Sequence, residues 1–208
     1  MQLDEPAPGR YLLPITDLHP LPPSDPSGLG TFYVTIAAMI LAFVTMLLLR
    51  ANVKTLTLRG WLRCLGALAV FGGAALGVVV GPVLGALHTP FAELWLLLSL
   101  QIAVAALFNS TMLVLIHRWA IIPTRGVFIL LRNTSSGGAV SASLLPQPFA
   151  ALNHALPSGA TVAGIHTATY FPHDQRWQLF VVLALWFSVT LAALVTCSRA
   201  LHRSPAEG

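Results

Sequence analysis

The sequence predicts an all-α polytopic membrane protein of about five transmembrane helices, with short re-entrant or interfacial helices before the last span. Three observations carry this expectation. The 208 residues are 56% hydrophobic, with a mean hydropathy of +0.77. Only 9% are charged, against about 25% in an ordinary soluble domain. The apolar residues also fall into runs long enough to cross a bilayer, which takes about 20 residues per helix.

Taken in order, residues 1–29 carry seven prolines (Pro6, Pro8, Pro14, Pro20, Pro22, Pro23, Pro26) with Asp17 and Asp25. They read as an extracytoplasmic, irregular tail rich in polyproline-like backbone. The amino terminus has no basic stretch followed by an apolar core, so no cleavable signal peptide is expected. A first span, 30–49, closes at Arg50, and Lys54, Arg59 and Arg63 follow in a short basic loop. A second covers 65–87. The turn at His88, Thr89 and Pro90 leads into a third, 94–116, closed by His117 and Arg118. A fourth, 119–138, is weak because Pro123, Arg125 and Arg132 interrupt its apolar runs. An outer hairpin segment, 139–175, precedes the last span, 177–196, and a carboxyl-terminal tail of 200–208.

Basic residues cluster on the cytoplasmic side of membrane proteins. If the weak segment crosses, the inside holds Arg50, Lys54, Arg59, Arg63, Arg118, Arg125, Arg199 and Arg203, against Arg10, Arg132 and Arg176 outside. If it does not, Arg132 and Arg176 exchange places with Arg199 and Arg203, and the ratio is unchanged. The charge bias therefore orients the first three spans and leaves the carboxyl terminus open.

Composition also argues against several functions. The net charge of +4 is scattered through short loops, unlike a nucleic-acid-binding patch. Cys64 and Cys197 each sit near an arginine at the end of an apolar run and read as packing residues. His154, His166 and His173 match no metal-ligand spacing. Lys54 lacks the glycines of a phosphate-binding loop, and the run Ser135, Ser136, Gly137, Gly138 lacks the alternation of a nucleophile elbow. No catalytic residue, cofactor or metal is expected. A membrane enzyme using an outer histidine stands only as the weakest alternative.

Two sets of residues inside the spans stand out. Gly73, Gly77, Gly81 and Gly85 recur every four positions in the second span, with Ala69 one step earlier. Such a smooth face predicts a tight helix contact, within the chain or with a partner subunit, and Pro82 predicts a kink near its outer end. In the third span, Gln101, Asn109, Ser110 and Thr111 are polar. Gln101 and Asn109 lie roughly on one face and either line a polar path or, the favoured reading, hydrogen-bond between helices.

The third feature is the outer segment. Ser135, Ser136, Gly137, Gly138, Pro146, Pro148, Pro157 and Gly159 break any long helix there. Two short helices, lying at the membrane or dipping into it, are expected.

The run SSGGAVSASLLPQPFAALNHALPSGATVAGIHTATYF, Ser135 to Phe171, resembles the carboxyl-terminal region of the YhgE/Pip (phage infection protein) membrane proteins and, more distantly, ABC-type exporter permeases. The stretch LPITDLHPLPPSDPSGLGTFY, Leu13 to Tyr33, is similar to that family's entry from an extracytoplasmic domain into the membrane bundle. In that family a first span precedes the extracytoplasmic region, and five more follow, with short re-entrant outer helices before the last. The resemblance thus implies that this chain corresponds to the final five spans, with its amino terminus outside and carboxyl terminus cytoplasmic. It departs from the family in having no first span, no large extracytoplasmic domain and a short fourth span bearing Arg125 and Arg132.

What the resemblance implies is a non-catalytic, permease-like subunit of a bacterial inner-membrane transport complex handling lipid or other hydrophobic cargo. The arginine-rich, alanine-rich and glycine-rich composition suits an actinobacterial-type source. Expected partners are lipids and other integral membrane subunits of a transporter, an Mce-type lipid importer among them, or a separate cytoplasmic ATPase. The alternative is a homodimeric ABC-type exporter permease working with such an ATPase.

Overall fold

The computed structural model describes residues 25, 29–53, 56–87, 89–116, 156–170 and 177–203; among these, five α-helices form a bundle in which four surround a central one. The helices are α1 (Gly30–Asn52), α2 (Leu58–Val78, continued by a π turn, Val79–Val83), α3 (Phe91–Ile116), α4 (Pro157–Tyr170) and α5 (Trp177–Arg203). Among the described residues no strand occurs. Four helices, α1, α2, α3 and α5, are long and apolar enough to cross a membrane. The chain is an all-α polytopic membrane protein. The weak fourth span, 119–138, lies outside the described residues.

Local chemistry sets the helix ends. The Asp25 carboxylate accepts hydrogen bonds from the backbone N–H groups of Leu29 (3.0 Å) and Gly30 (2.6 Å), satisfying donors that the start of α1 leaves unpaired. Thr57 caps α2 in the same way, its hydroxyl accepting from the Gly60 N–H at 3.2 Å. Because of that cap, α2 begins seven residues before the expected start near Leu65 and takes Arg59 and Arg63 into the helix. Both arginines are exposed, consistent with long side chains carrying their charge to the membrane surface. The other spans also extend beyond their apolar cores: α1 to Asn52, α3 back to Phe91 and α5 to Arg203.

Near its far end α2 changes type. Pro82 has no N–H to donate and its ring would press on the carbonyl four residues back. The helix widens into the π turn, where the Leu84 N–H reaches the Val79 carbonyl at 2.9 Å. Gly85 then ends the helix with a φ of 59°, a left-handed backbone that suits glycine. A π turn uses more residues per turn than an α-helix, so the four-residue glycine spacing loses its face there.

The glycine stripe consequently divides. A Cβ on Gly73 would fall 2.9 Å from the Ser99 backbone nitrogen and 3.0 Å from its Cα, and one on Gly77 would lie 3.3 Å from the Phe91 ring. These two glycines form the close α2–α3 crossing. A Cβ on Gly81 would meet nothing within 4 Å, and Gly85 serves the turn. Of the four glycines expected to form a packing face, within the chain or with a partner subunit, Gly73 and Gly77 pack within the chain among the described residues, joined by Gly72, whose Cβ would lie 2.9 Å from Leu41 of α1.

The core sits around α3, which contacts all four other helices. In its most apolar stretch 56% of residues are buried, against 33%, 33% and 22% for α1, α2 and α5. Leu97, Leu98, Ile102, Val104 and Leu107 of α3 are all 0–1% exposed. Away from α3, Trp177, Val181, Leu185 and Val189 form an exposed stripe on α5, and Phe71 and Val83 project from α2 and its π turn. Such apolar faces match the lipid that surrounds a bundle.

Helices α3 and α5 run parallel. Leu97 lies by Leu179 and Phe180 near their starts, and Thr111 lies 3.4 Å from the Thr190 carbonyl further along. Arg50 at the end of α1, Arg59 and Arg63 at the start of α2, and Arg199 at the end of α5 therefore share one face of the bundle, the basic face. Asp25, Thr89 and Trp177 mark the opposite face.

We expect Gly73→Val to destabilise the bundle by about 1–3 kcal/mol, because two backbones must separate to admit the side chain, and Gly81→Ala to change stability by no more than about 0.5 kcal/mol. Unfolding of both variants in mixed micelles checks this.

Candidate functional site

The feature with chemical content is the α4–α3 contact. Helix α4 has 14 residues and is about 21 Å long, too short for a hydrocarbon core of about 30 Å. Pro157 suits its first position, where a helix needs no N–H. Its carboxyl-terminal end is fixed at the face opposite the arginines, where the Thr169 and Thr89 hydroxyls meet at 2.7 Å.

The other end points into the membrane. A Cβ on Gly164 would lie 3.1 Å from Leu97, and one turn deeper Thr161 hydrogen-bonds to Gln101. Gln101 is the eleventh of the 26 residues of α3, so it stands about 15 Å along a helix of about 39 Å. The first turn of α4, another helical turn beyond, therefore lies near the middle of the span. Pro157, Ser158, Gly159, Ala160 and Thr161 are all buried. The segment expected to lie at the membrane or to dip into it is, in its described part, a helix that ends at mid-depth inside the bundle. Burial is what makes this possible, because a lipid-facing helix end would leave its polar backbone unsatisfied. Ser135, Ser136, Gly137, Gly138, Pro146 and Pro148 lie outside the described residues.

The polar residues of α3 each reach a different helix. The Ser110 hydroxyl donates to the Ala106 carbonyl at 2.7 Å and accepts from the Trp61 indole of α2 at 3.0 Å. The Asn109 amide donates to the Phe43 carbonyl of α1 at 3.4 Å. Thr111 bonds its own helix at Leu107 (2.9 Å) and lies against the Thr190 carbonyl of α5. Trp95 donates to the Val70 carbonyl of α2 at 3.1 Å. Gln101 and Asn109 are thus directed at different neighbours, α4 and α1. Thr161, Trp61 and Trp95 carry three of the five interhelical bonds and do not stand out in the sequence, where tryptophans and threonines in apolar runs give no distinct signal.

Among the described residues, three buried side-chain atoms have no hydrogen-bond partner: Ser99 Oγ, Gln101 Nε2 and Asn109 Oδ1. Ser99 Oγ sits where a Gly73 Cβ would stand, the position for a weak Cα–H···O contact. The Gln101 environment is more demanding. Thr161 Oγ1 also approaches the Pro157 carbonyl at 2.9 Å, and one hydroxyl has one hydrogen to donate. Whether that hydrogen goes to Pro157 or to the amide, the far end of the Gln101 amide stays unpaired at 1% exposure.

A narrow, mainly apolar cleft runs between α3, α4 and α5. Glu93 and Thr167 stand at its outer end, and Leu97, Gly164, Leu179 and Phe180 line it. Among the described residues no group of His, Cys, Asp and Glu is placed to hold a metal. No protein-family model, curated protein or solved structure matches the chain.

In a double-mutant cycle with Gln101→Leu and Thr161→Val, the expected coupling is about 0.6–1.7 kcal/mol, the range for interhelical hydrogen bonds in membranes. Additive losses in mixed-micelle unfolding would show that no bond joins the two.

Proposed function

We propose that the chain is a non-catalytic, permease-like subunit of a bacterial envelope transport complex that handles lipid or another hydrophobic cargo. The observation that carries this reading is α4, a buried helix that ends at mid-depth beside an unpaired amide. Interrupted backbone at membrane depth costs stability unless it lines a pathway or is packed in protein, and partial-span helices with buried amino-terminal ends are a means by which transporters present polar groups to cargo. The helix also lies within the Ser135–Phe171 run that resembles YhgE/Pip proteins.

The shared placement of Arg50, Arg59, Arg63 and Arg199 supports an inner-membrane orientation with these arginines cytoplasmic. On that orientation the amino-terminal tail is outside and the carboxyl terminus inside. Exposed apolar stripes on α1, α2 and α5 leave room for lipids or for other membrane subunits, an Mce-type lipid importer being one assembly of suitable chemistry. The sequence supplies no phosphate-binding loop, so ATP hydrolysis belongs to a separate subunit.

The test is purification of a tagged copy from native membranes in mild detergent, with mass spectrometry of what accompanies it. Other permease subunits together with an ATPase are the expected result. Two copies with one type of ATPase would make this chain itself the permease of an ABC-type exporter. Recovery of the chain alone would contradict both readings.

A further inference from the structure

We propose that Arg59 and Arg63 of α2 bind the headgroup phosphate of an anionic phospholipid in the leaflet at the basic face, with an acyl chain lying along the exposed side of α2 over Gly66. This is independent of the transport reading, because it concerns a lipid held at the rim of the bundle whatever the complex carries.

The two arginines are the second and sixth residues of α2, so they stand on one side of the helix with their Cβ atoms about 5–6 Å apart. Side chains tilt toward the amino terminus of a helix, which for α2 is the basic face, so Arg63 leans toward Arg59. Depth draws them together as well. The apolar helix Leu58–Val83 has 26 residues and is about 39 Å long, against a hydrocarbon core of about 30 Å. The first turn of α2 therefore reaches the headgroup region. Arg63, about 8 Å from the helix start, carries its charge outward to the same level. Like charges four positions apart repel, and among the described residues no carboxylate relieves them: Asp25 and Glu93 lie at the opposite face. Arg50, exposed at the end of α1, adds to the same positive field.

Charge complementarity selects the occupant. Guanidinium groups pair with phosphate oxygens through two parallel N–H donors, and at this depth the phosphates are those of lipid headgroups. Below the arginines the same side of α2 carries Gly66 and Val70, both exposed. A Cβ on Gly66 would meet nothing within 4 Å, which leaves a notch in the helix surface between Arg63 and Val70. Beside Val70 stand Phe71, 73% exposed, and Trp95 of α3, whose indole donates to the Val70 carbonyl. An acyl chain descending from a phosphate at Arg59 and Arg63 meets the notch first and these apolar groups next. Arg199 shares the basic face without sharing this arrangement, because α5 packs on α3 and α4 while α2 packs on α3 and α1.

The test uses the full chain, delipidated in mild detergent and titrated with phosphatidylglycerol or phosphatidylcholine, with bound lipid counted by native mass spectrometry. Wild type is expected to bind phosphatidylglycerol the more tightly. Arg59→Gln and Arg63→Gln should each weaken that binding about fivefold, and the two together about 25-fold. Arg199→Gln should leave it unchanged, and phosphatidylcholine binding should be the same in all the arginine variants. Gly66→Leu, which fills the notch and keeps both charges, should also weaken phosphatidylglycerol binding. An equal loss on Arg199→Gln would show a diffuse charge effect, and displacement of the lipid by inorganic phosphate would show a site for a soluble anion; either result would overturn the assignment. Unchanged lipid binding in the double variant would overturn it too, and if that variant instead lost an accompanying ATPase on co-purification, the arginines would belong to a contact with a partner protein.

Discussion

Polar groups surrounded by hydrocarbon must find their partners within the protein, and in this bundle α3 supplies them. Lipid tails are as apolar as leucine, so the aqueous hydrophobic effect gives helices little reason to associate. The contacts that distinguish one arrangement from another are close backbone packing and polar bonds. Both kinds converge on α3: Ser99 against Gly73, Ser110 with Trp61, Asn109 with the Phe43 carbonyl, Gln101 with Thr161, and Thr111 beside Thr190. Each neighbouring helix is reached by at least one of them. The remaining faces of α1, α2 and α5 need no specific partner and are left to lipid.

The same constraint explains how α4 is tolerated. Its amino-terminal end exposes N–H groups at a depth where no water reaches, so it must be enclosed. Ser158, Ala160, Thr161 and Ile165 are all 0–1% exposed. Its outer end, by contrast, meets Thr89 near the membrane surface, where polar groups are readily solvated. The helix therefore couples the surface to the middle of the bundle, and any displacement of one end is felt by the other.

Much of the architecture is legible in the sequence, for physical reasons that also mark the limit. Long apolar runs identify α1, α2, α3 and α5 because a bilayer demands that length. Their ends are less legible: capping by Thr57 and the long reach of Arg59 and Arg63 extend α2 beyond its apolar core. The glycine spacing assumes an uninterrupted α-helix, and Pro82 breaks that assumption by inducing a π turn, so Gly81 and Gly85 leave the face that Gly73 and Gly77 occupy. Gln101 and Asn109 stand out as polar residues in an apolar run, but periodicity cannot say which helix each one meets. Pro157 and Gly159 announce an interruption; the depth of α4 follows only from its pairing with Leu97 and Gln101.

That depth is the central claim, and cysteine cross-linking in native membranes tests it most directly. In a background with Cys64 and Cys197 replaced by alanine, the pairs Leu97→Cys with Gly164→Cys and Gln101→Cys with Thr161→Cys should each form a disulfide on mild oxidation. Single cysteines at Thr161 and Gly164 should stay unreactive toward a membrane-impermeant maleimide. Absence of both disulfides, with rapid maleimide labelling at Thr161 and Gly164, would place α4 on the membrane surface and contradict the account.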